Sequence, residues 1–426
     1  MRVVFFSYGT RGDAQPQVAL AAGLQERGFE TRVAAPENLR GFVERSGVAY
    51  APLHGNSQAI LESPEGQRWL RSGNVREFTN SVARINRELD PHIFASGLDA
   101  ARGADLIVGG TLIEELSVTL AEHLRVPFTF AHTIPLEPTG AFPCPLVTTA
   151  NLPFAFLNRA TWGLFRRLVF PLHRDAINVF RRQLGLPPQV ATAVGGAREL
   201  GVPVLQLWSR HLVPHAADAD ARAVTTGSIR LPAAVRARLG EAVPPPDLLP
   251  WLAEGPPPVY VGFGSMPMPT LESFGRDVLS LAEELDLRFL VCGGWNDTDA
   301  VHQLAGPRMH IVRSVDHGWI FPRCAVVVHH GGAGTTFAAA EAGVPSVVCS
   351  FFADQPFWGS RVAALGAGAH VPFTSLTRST LRSALRRALR VETRSRAAAL
   401  GRQLRAEDGN ARALDALERI ARRGTA

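Results

Sequence analysis

Short apolar runs, each closed by a turn and followed by a helical stretch, recur along the whole chain. Residues 3–7, 30–35, 106–108, 128–131 and 204–207 form such runs in the first half. A run without polar alternation suits a strand buried on both faces of a parallel sheet. Strands alternating with helices predict an α/β chain of doubly wound, Rossmann-like sheets. The second half repeats the pattern at 259–263, 288–292, 310–312, 325–329 and 346–349, with helices expected at 273–285 and 335–342.

At 426 residues the chain exceeds one ordinary core and suits two. Proline clusters at 244–246 and 256–258 stiffen the connection between the halves. The expected division is an N-terminal domain over 1–230, a linker over 231–255 and a C-terminal domain over 256–408. A last helix, 409–426, is expected to pack back on the first domain.

Charge excludes one class of function. The 44 basic residues are all arginine, the net charge is +6, and most of the arginines are scattered among acids. A nucleic-acid surface would concentrate them in a stripe, so no nucleic-acid partner is expected. The four cysteines are widely spaced and suggest neither disulfides nor zinc. A strand begins at Arg2, without the pattern of a signal peptide, and prolines interrupt the uncharged stretch 138–158. A cytoplasmic protein is expected.

Three loops carry groups suited to an anionic, hydroxylated ligand. In the first, an apolar run ends at His329-His330-Gly331-Gly332-Ala333-Gly334-Thr335, where a helix starts. Free N–H groups at a helix start, with the positive end of its dipole, attract phosphate, and His330 adds a donor or a charge. In the second, Gly264 and Ser265 close the strand at 259–263. In the third, Asp354 and Gln355 offer partners for sugar hydroxyls. Each has a plainer reading: a glycine-rich corner, a tight turn, and an aspartate cap. Asp13, on the loop 8–13 after the first strand, is either a general base or the cap of a helix expected at 15–27. The acidic pairs Asp218/Asp220 and Asp297/Asp299 read as surface turns, so no metal site is expected.

The block 329–368, HHGGAGTTFAAAEAGVPSVVCSFFADQPFWGSRVAALGAG, resembles the donor signature of family 1 glycosyltransferases with the GT-B fold. Segments 9–16, 135–145, 259–266 and 316–322 are similar to further motifs of the sterol and antibiotic glycosyltransferase branches. The resemblance implies two facing Rossmann-like domains with an interdomain cleft. It implies inverting, metal-independent transfer of a hexose from a UDP- or dTDP-sugar to a lipophilic hydroxyl, with no cofactor. Asp13 is then the base. Gly12, Gly264, Ser265, His330, Gly332, Gly334 and Thr335 face the diphosphate, Arg313, Ser314 and Val315 the nucleobase, and Asp354 and Gln355 the sugar. Ala338 stands where plant members carry a ribose-binding glutamate, which leaves the base open.

In such a fold the N-terminal domain takes the acceptor, with His132, Glu137 and Phe142 as its candidate contacts. The stretch 151–184 interleaves aromatics with arginines. It reads as an apolar acceptor wall, as a helix touching membranes, or as an ordinary amphipathic helix. A monomer or weak dimer is expected. The competing readings are a GT-B nucleotide-sugar epimerase and a non-catalytic activating partner. A dinucleotide oxidoreductase ranks last because the first loop lacks G-x-G-x-x-G.

Overall fold

The computed structural model describes residues 1–64, 66, 68, 75–214, 216–241, 243–264, 266, 271–294 and 302–423. The chain forms two compact units. Unit 1 comprises Met1–Ile60, Asn74–Leu239 and Glu407–Ala426, and unit 2 comprises Leu61–Gly73 and Gly240–Ala406. The expected linker thus has its two ends in different units. Leu231 and Val235 are buried in the core of unit 1, whereas Leu248 and Trp251 are buried in that of unit 2.

Unit 1 holds a parallel sheet built from β1 (Arg2–Phe6), β2 (Glu30–Pro36), β3 (Ala49–Leu53), β4 (Leu106–Gly109), β5 (Phe128–His132), β6 (Val204–Gln206) and β7 (Ala223–Thr225). Their order across it is β3-β2-β1-β4-β5-β6-β7. The β1 run shows why continuous apolarity was required. Val3 and Phe5 enter the core on one face, Val4 and Phe6 the core on the other.

The longer helices of this unit are α1 (Arg11–Glu26), α2 (Val75–Ala101), α3 (Glu114–Leu124) and α4 (Ala155–Gln183). Helix α1 starts four residues earlier than the sequence suggested, so the loop after β1 is short. The cause is a capping box: Thr10 Oγ1 accepts the Gly12 N–H at 3.2 Å, and Asp13 Oδ2 accepts the Thr10 N–H at 2.8 Å.

Unit 2 holds β8 (Val259–Gly262), β9 (Phe289–Cys292), β10 (Met309–Val312), β11 (Val326–His329), β12 (Ser346–Ser350) and β13 (Gly368–Pro372), all parallel, in the order β10-β9-β8-β11-β12-β13. Its longer helices are α5 (Leu271–Glu284), α6 (Ala333–Ala342), α7 (Gln355–Ala364), α8 (Arg378–Ala388) and α9 (Val391–Arg405). Helix α6 begins at Ala333, two residues before the expected start. The final helix, α10 (Gly409–Arg423), lies on α1 of unit 1. Leu414 packs over Gly23, where a Cβ would meet its Cδ1 at 2.7 Å, and Arg27 pairs with Asp415 and Glu418.

Among the described residues no helix is long and apolar enough to cross a membrane, and none of the His, Cys, Asp and Glu side chains cluster as metal ligands. The cysteines are free. Both acids are engaged within unit 1: Asp218 holds the distant segment 139–140 and Arg159 of α4, and Asp220 pairs with Arg222. Asp297 and Asp299 lie outside the described residues.

Candidate active site

In both sheets the strand order reverses at one place, between β1 and β4 in unit 1 and between β8 and β11 in unit 2. Open parallel sheets bind ligands beyond the carboxyl ends of the strands at such a switch point, because neighbouring loops there run to opposite faces and leave a crevice. In unit 2 the two flanking loops are those carrying Gly264 and His330. They touch: a Cβ on Gly264, which sits at φ +59°, would lie 3.1 Å from His330 Cε1. Ser265 lies outside the described residues.

The histidine pair divides its work. His329 is fully buried, and its Nδ1 accepts the Gly331 N–H at 3.1 Å, which folds the turn. His330 lies against the helix start, with Nε2 so close to Gly332 that a Cβ there would stand 2.5 Å away. Burial pushes its pKa down to about 4. The imidazole is therefore neutral near pH 7 and supplies a hydrogen bond, not the charge the sequence also allowed.

Gly332 is the N-cap of α6, and no side chain caps that end. The N–H groups of Ala333, Gly334 and Thr335 stand in the first turn, where a helix offers them no acceptor. Thr336 Oγ1 turns back to the Gly332 carbonyl at 2.9 Å. This leaves a donor-rich corner with a helix dipole behind it.

The third loop meets the same corner. A Cβ on Gly331, at φ +93°, would lie 3.0 Å from the Gln355 carbonyl oxygen. Gln355 is buried, and its Oε1 accepts the Phe351 N–H at 2.8 Å, which shapes the turn after β12. Among the described residues its Nε2 meets the Met266 sulfur at 3.5 Å, a weak acceptor. Asp354 is the N-cap of α7, but its side chain makes no cap bond, and Oδ2 accepts the Trp358 indole N–H at 2.8 Å instead. The plain capping reading of Asp354 is thus corrected. Arg313 and Ser314 are exposed beyond β10, with Val315 half-buried beside them.

In unit 1 the Asp13 carboxylate is half-buried in the first turn of α1. Desolvation pushes its pKa up to about 6, against the opposing hydrogen bonds from Thr10. It is both a member of a capping box and a carboxylate poised near neutrality. Gly12 is exposed in the same turn, and its N–H already serves Thr10.

Glu137 and Phe142 line a cavity of about 270 Å³ beyond the carboxyl ends of β5 and β6, with Pro135, Gln206 and Trp208. Glu137 is pushed up to about 7 by burial, and its Oε1 is buried without a partner. Helix α4 pins this wall, because Asn158 donates to the Gly140 carbonyl at 2.9 Å and Trp162 to that of Phe142 at 3.2 Å. His132 is not part of the lining. It is buried, stacked on Phe130, with Nε2 3.3 Å from Glu114 Oε1.

Gly9, Met266 and Trp358 lie in segments the sequence singled out, but none was given a role of its own, and Trp208 carried no sequence signal.

The comparisons with known proteins follow the same division. Residues 3–143 match the glycosyltransferase family 28 N-terminal domain, and 277–412 match the erythromycin biosynthesis protein CIII-like C-terminal domain. The chain is 32% identical over 428 residues to a sterol 3-beta-glucosyltransferase of Arabidopsis thaliana, covering 98% of this chain and 68% of the relative. This chain is a family 1 glycosyltransferase of the GT-B fold.

The glycosyltransferase is equally similar, 32% over 428 residues, to an uncharacterized glycosyltransferase of Mycobacterium tuberculosis, covering 99% of this chain and all of the relative (100%). Among solved structures it is like the glycotransferase of kitacinnamycin, with a TM-score of 0.74 at 19% identity and 99% of each chain covered. It is also like the glycosyltransferase VinC in complex with dTDP, with a TM-score of 0.69 at 19% identity and 100% of each chain covered. These two likenesses bear on the fold. As a glycosyltransferase the protein moves a sugar from a nucleotide-sugar to an acceptor.

Proposed function

We propose that this glycosyltransferase transfers a hexose, with inversion, from a UDP- or dTDP-sugar to the hydroxyl of a lipophilic acceptor of sterol, macrolide or polyketide type. The observation that carries this reading is the order of loops along the carboxyl edge of the second sheet. Arg313–Val315 follow β10, Gly264 follows β8, His330 follows β11, and Asp354 and Gln355 follow β12. That order matches the connectivity of the donor itself: base, then diphosphate, then sugar. At the usual strand spacing β10 and β12 are about 19 Å apart, room for an extended nucleotide-sugar.

In the reaction the acceptor oxygen attacks the anomeric carbon, its proton passes to Asp13, and the bond from that carbon to the diphosphate oxygen breaks. Negative charge then grows on the leaving diphosphate. The N–H groups at the start of α6 and the neutral His330 stabilise it without needing a divalent ion. The acceptor's apolar body has the cavity of Phe142 and Trp208 as its resting place in unit 1. The Arabidopsis relative named for sterols supports that acceptor class, and the VinC complex supports a dTDP donor as one of the two options.

Membrane contact belongs to the same reading. Helix α4 carries six arginines; Arg181 is buried and Arg159, Arg166 and Arg174 pair with carboxylates, while Arg167 and Arg182 stand exposed with Phe156, Leu164 and Leu168. Such a face suits an anionic lipid surface that holds lipophilic acceptors. The deciding experiment incubates the protein with UDP-glucose or dTDP-glucose and a panel of sterols, macrolides and aromatic polyketides. Mass spectrometry finds an acceptor gaining one hexose. Release of free sugar alone, with no acceptor modified, contradicts the proposal.

A further inference from the structure

Four non-glycine residues in the described part of the chain adopt a positive φ: Leu112, Arg125, Asp286 and Ala353. Two need no special account. Arg125 is the C-cap of α3, and Asp286 lies two residues past α5, the ordinary place for a left-handed residue after a helix. Ala353 precedes Asp354 on the donor side. Leu112 is the outlier. A branched, bulky side chain at φ +71° is disfavoured by contact of its Cβ with the backbone, and Leu112 is also 62% exposed. It gains neither a relaxed backbone nor burial.

Its place in the fold gives that cost a use. Leu112 lies in the turn between β4 and α3, on the β4 side of the switch point of unit 1. The β1 side of the same switch point carries Asp13. The two turns are joined, because the Gly110 N–H donates to the Phe6 carbonyl at 2.8 Å. On either side of Leu112, Thr111 and Ile113 are buried, so the turn is anchored while Leu112 alone projects. The cavity of Glu137 and Phe142 begins at the next strand along the same edge, beyond β5 and β6. An acceptor reaching from that cavity to Asp13 passes β4.

We propose that Leu112 is a specificity-determining residue, an apolar contact that guides the lipophilic acceptor's hydroxyl toward Asp13. The inference rests on the acceptor reading above. Strain of this kind persists where a turn is over-determined by its surroundings, and it collects at ligand sites. A glycine would relax the turn, so a leucine kept there serves something other than the fold.

The test compares wild type with Leu112→Gly and Leu112→Met, using UDP-glucose or dTDP-glucose and the acceptor panel, with melting temperature as a second readout. In Leu112→Gly the melting temperature is expected to hold or rise, because backbone strain is released. The acceptor KM is expected to rise about tenfold, in keeping with one lost apolar contact, while the donor KM holds. Leu112→Met restores most of the acceptor affinity. An unchanged acceptor KM in Leu112→Gly overturns the inference and leaves the proposed transfer intact. So does a fall in melting temperature with equal loss toward donor and acceptor, which would make Leu112 structural. Failure of wild type to glycosylate any lipophilic acceptor overturns both.

Discussion

A Cβ placed on Gly9 would stand 2.4 Å from Asp13 Oδ2, so the carboxylate rests directly on the bare backbone of Gly9. Gly9 itself sits at φ +121°, where side chains are strained. The position of the proposed base therefore depends on a residue that does no chemistry. Gly9→Ala is expected to lower kcat by tenfold or more through displacement of Asp13, with the donor KM unchanged. Steady-state kinetics with saturating acceptor checks it.

The pH dependence follows from the direction of the Asp13 shift. Burial raises its pKa from an ordinary value near 4 to about 6, so the fold favours the protonated form. A base must be ionised, hence kcat/KM should rise with pH through about 6 and then level. For stability the sign is opposite. The contribution is present below about pH 4 and is lost as pH rises through 6, where ionisation costs the folded state. Rate profiles and melting temperatures between pH 4.5 and 8.5, compared with Asp13→Asn, separate the two effects.

Much of this was legible in the amino-acid sequence, and for a physical reason. Strands buried on both faces, such as those containing Val3 and Val327, are apolar at nearly every position, so they stand out. The edge strands β3 and β7 do not: Tyr50 and Thr225 are only half-buried, and their segments look like loops. The donor loops were legible because glycine at a helix start leaves a pattern. The role of Asp13 was ambiguous because a carboxylate three residues into a helix caps it whether or not it is a base. The Leu112 turn was invisible, since a backbone dihedral at a leucine has no sequence mark.

His330 gives a sharper test of the donor corner. With its pKa near 4 it stays neutral across the working range, so donor affinity should not vary with pH from 6 to 8.5 on its account. His330→Ala removes one hydrogen bond to a charged group and should weaken donor binding about tenfold or more. Calorimetric titration with UDP and dTDP reads both.

If the start of α6 carries the diphosphate, chelation of divalent ions leaves activity intact. Transfer rates with and without millimolar EDTA should agree within twofold. A requirement for added magnesium or manganese contradicts this account of charge stabilisation.

The exposed face of α4 predicts binding to vesicles of phosphatidylglycerol over those of phosphatidylcholine. Arg167 is exposed on this face, and Phe156 is 66% exposed. The double variant Phe156→Ser, Arg167→Gln should lose most of the sedimentation with anionic vesicles while keeping transfer to acceptors dissolved in detergent.

Asp13→Asn tests the proposed role of Asp13 as the general base most directly. The amide still accepts the Thr10 N–H, so the capping box survives, but it takes no proton. Donor affinity and transfer rate are measured on the same preparation. The account predicts unchanged UDP or dTDP binding and a transfer rate at least about a hundredfold lower. Near-normal turnover in that variant would contradict it.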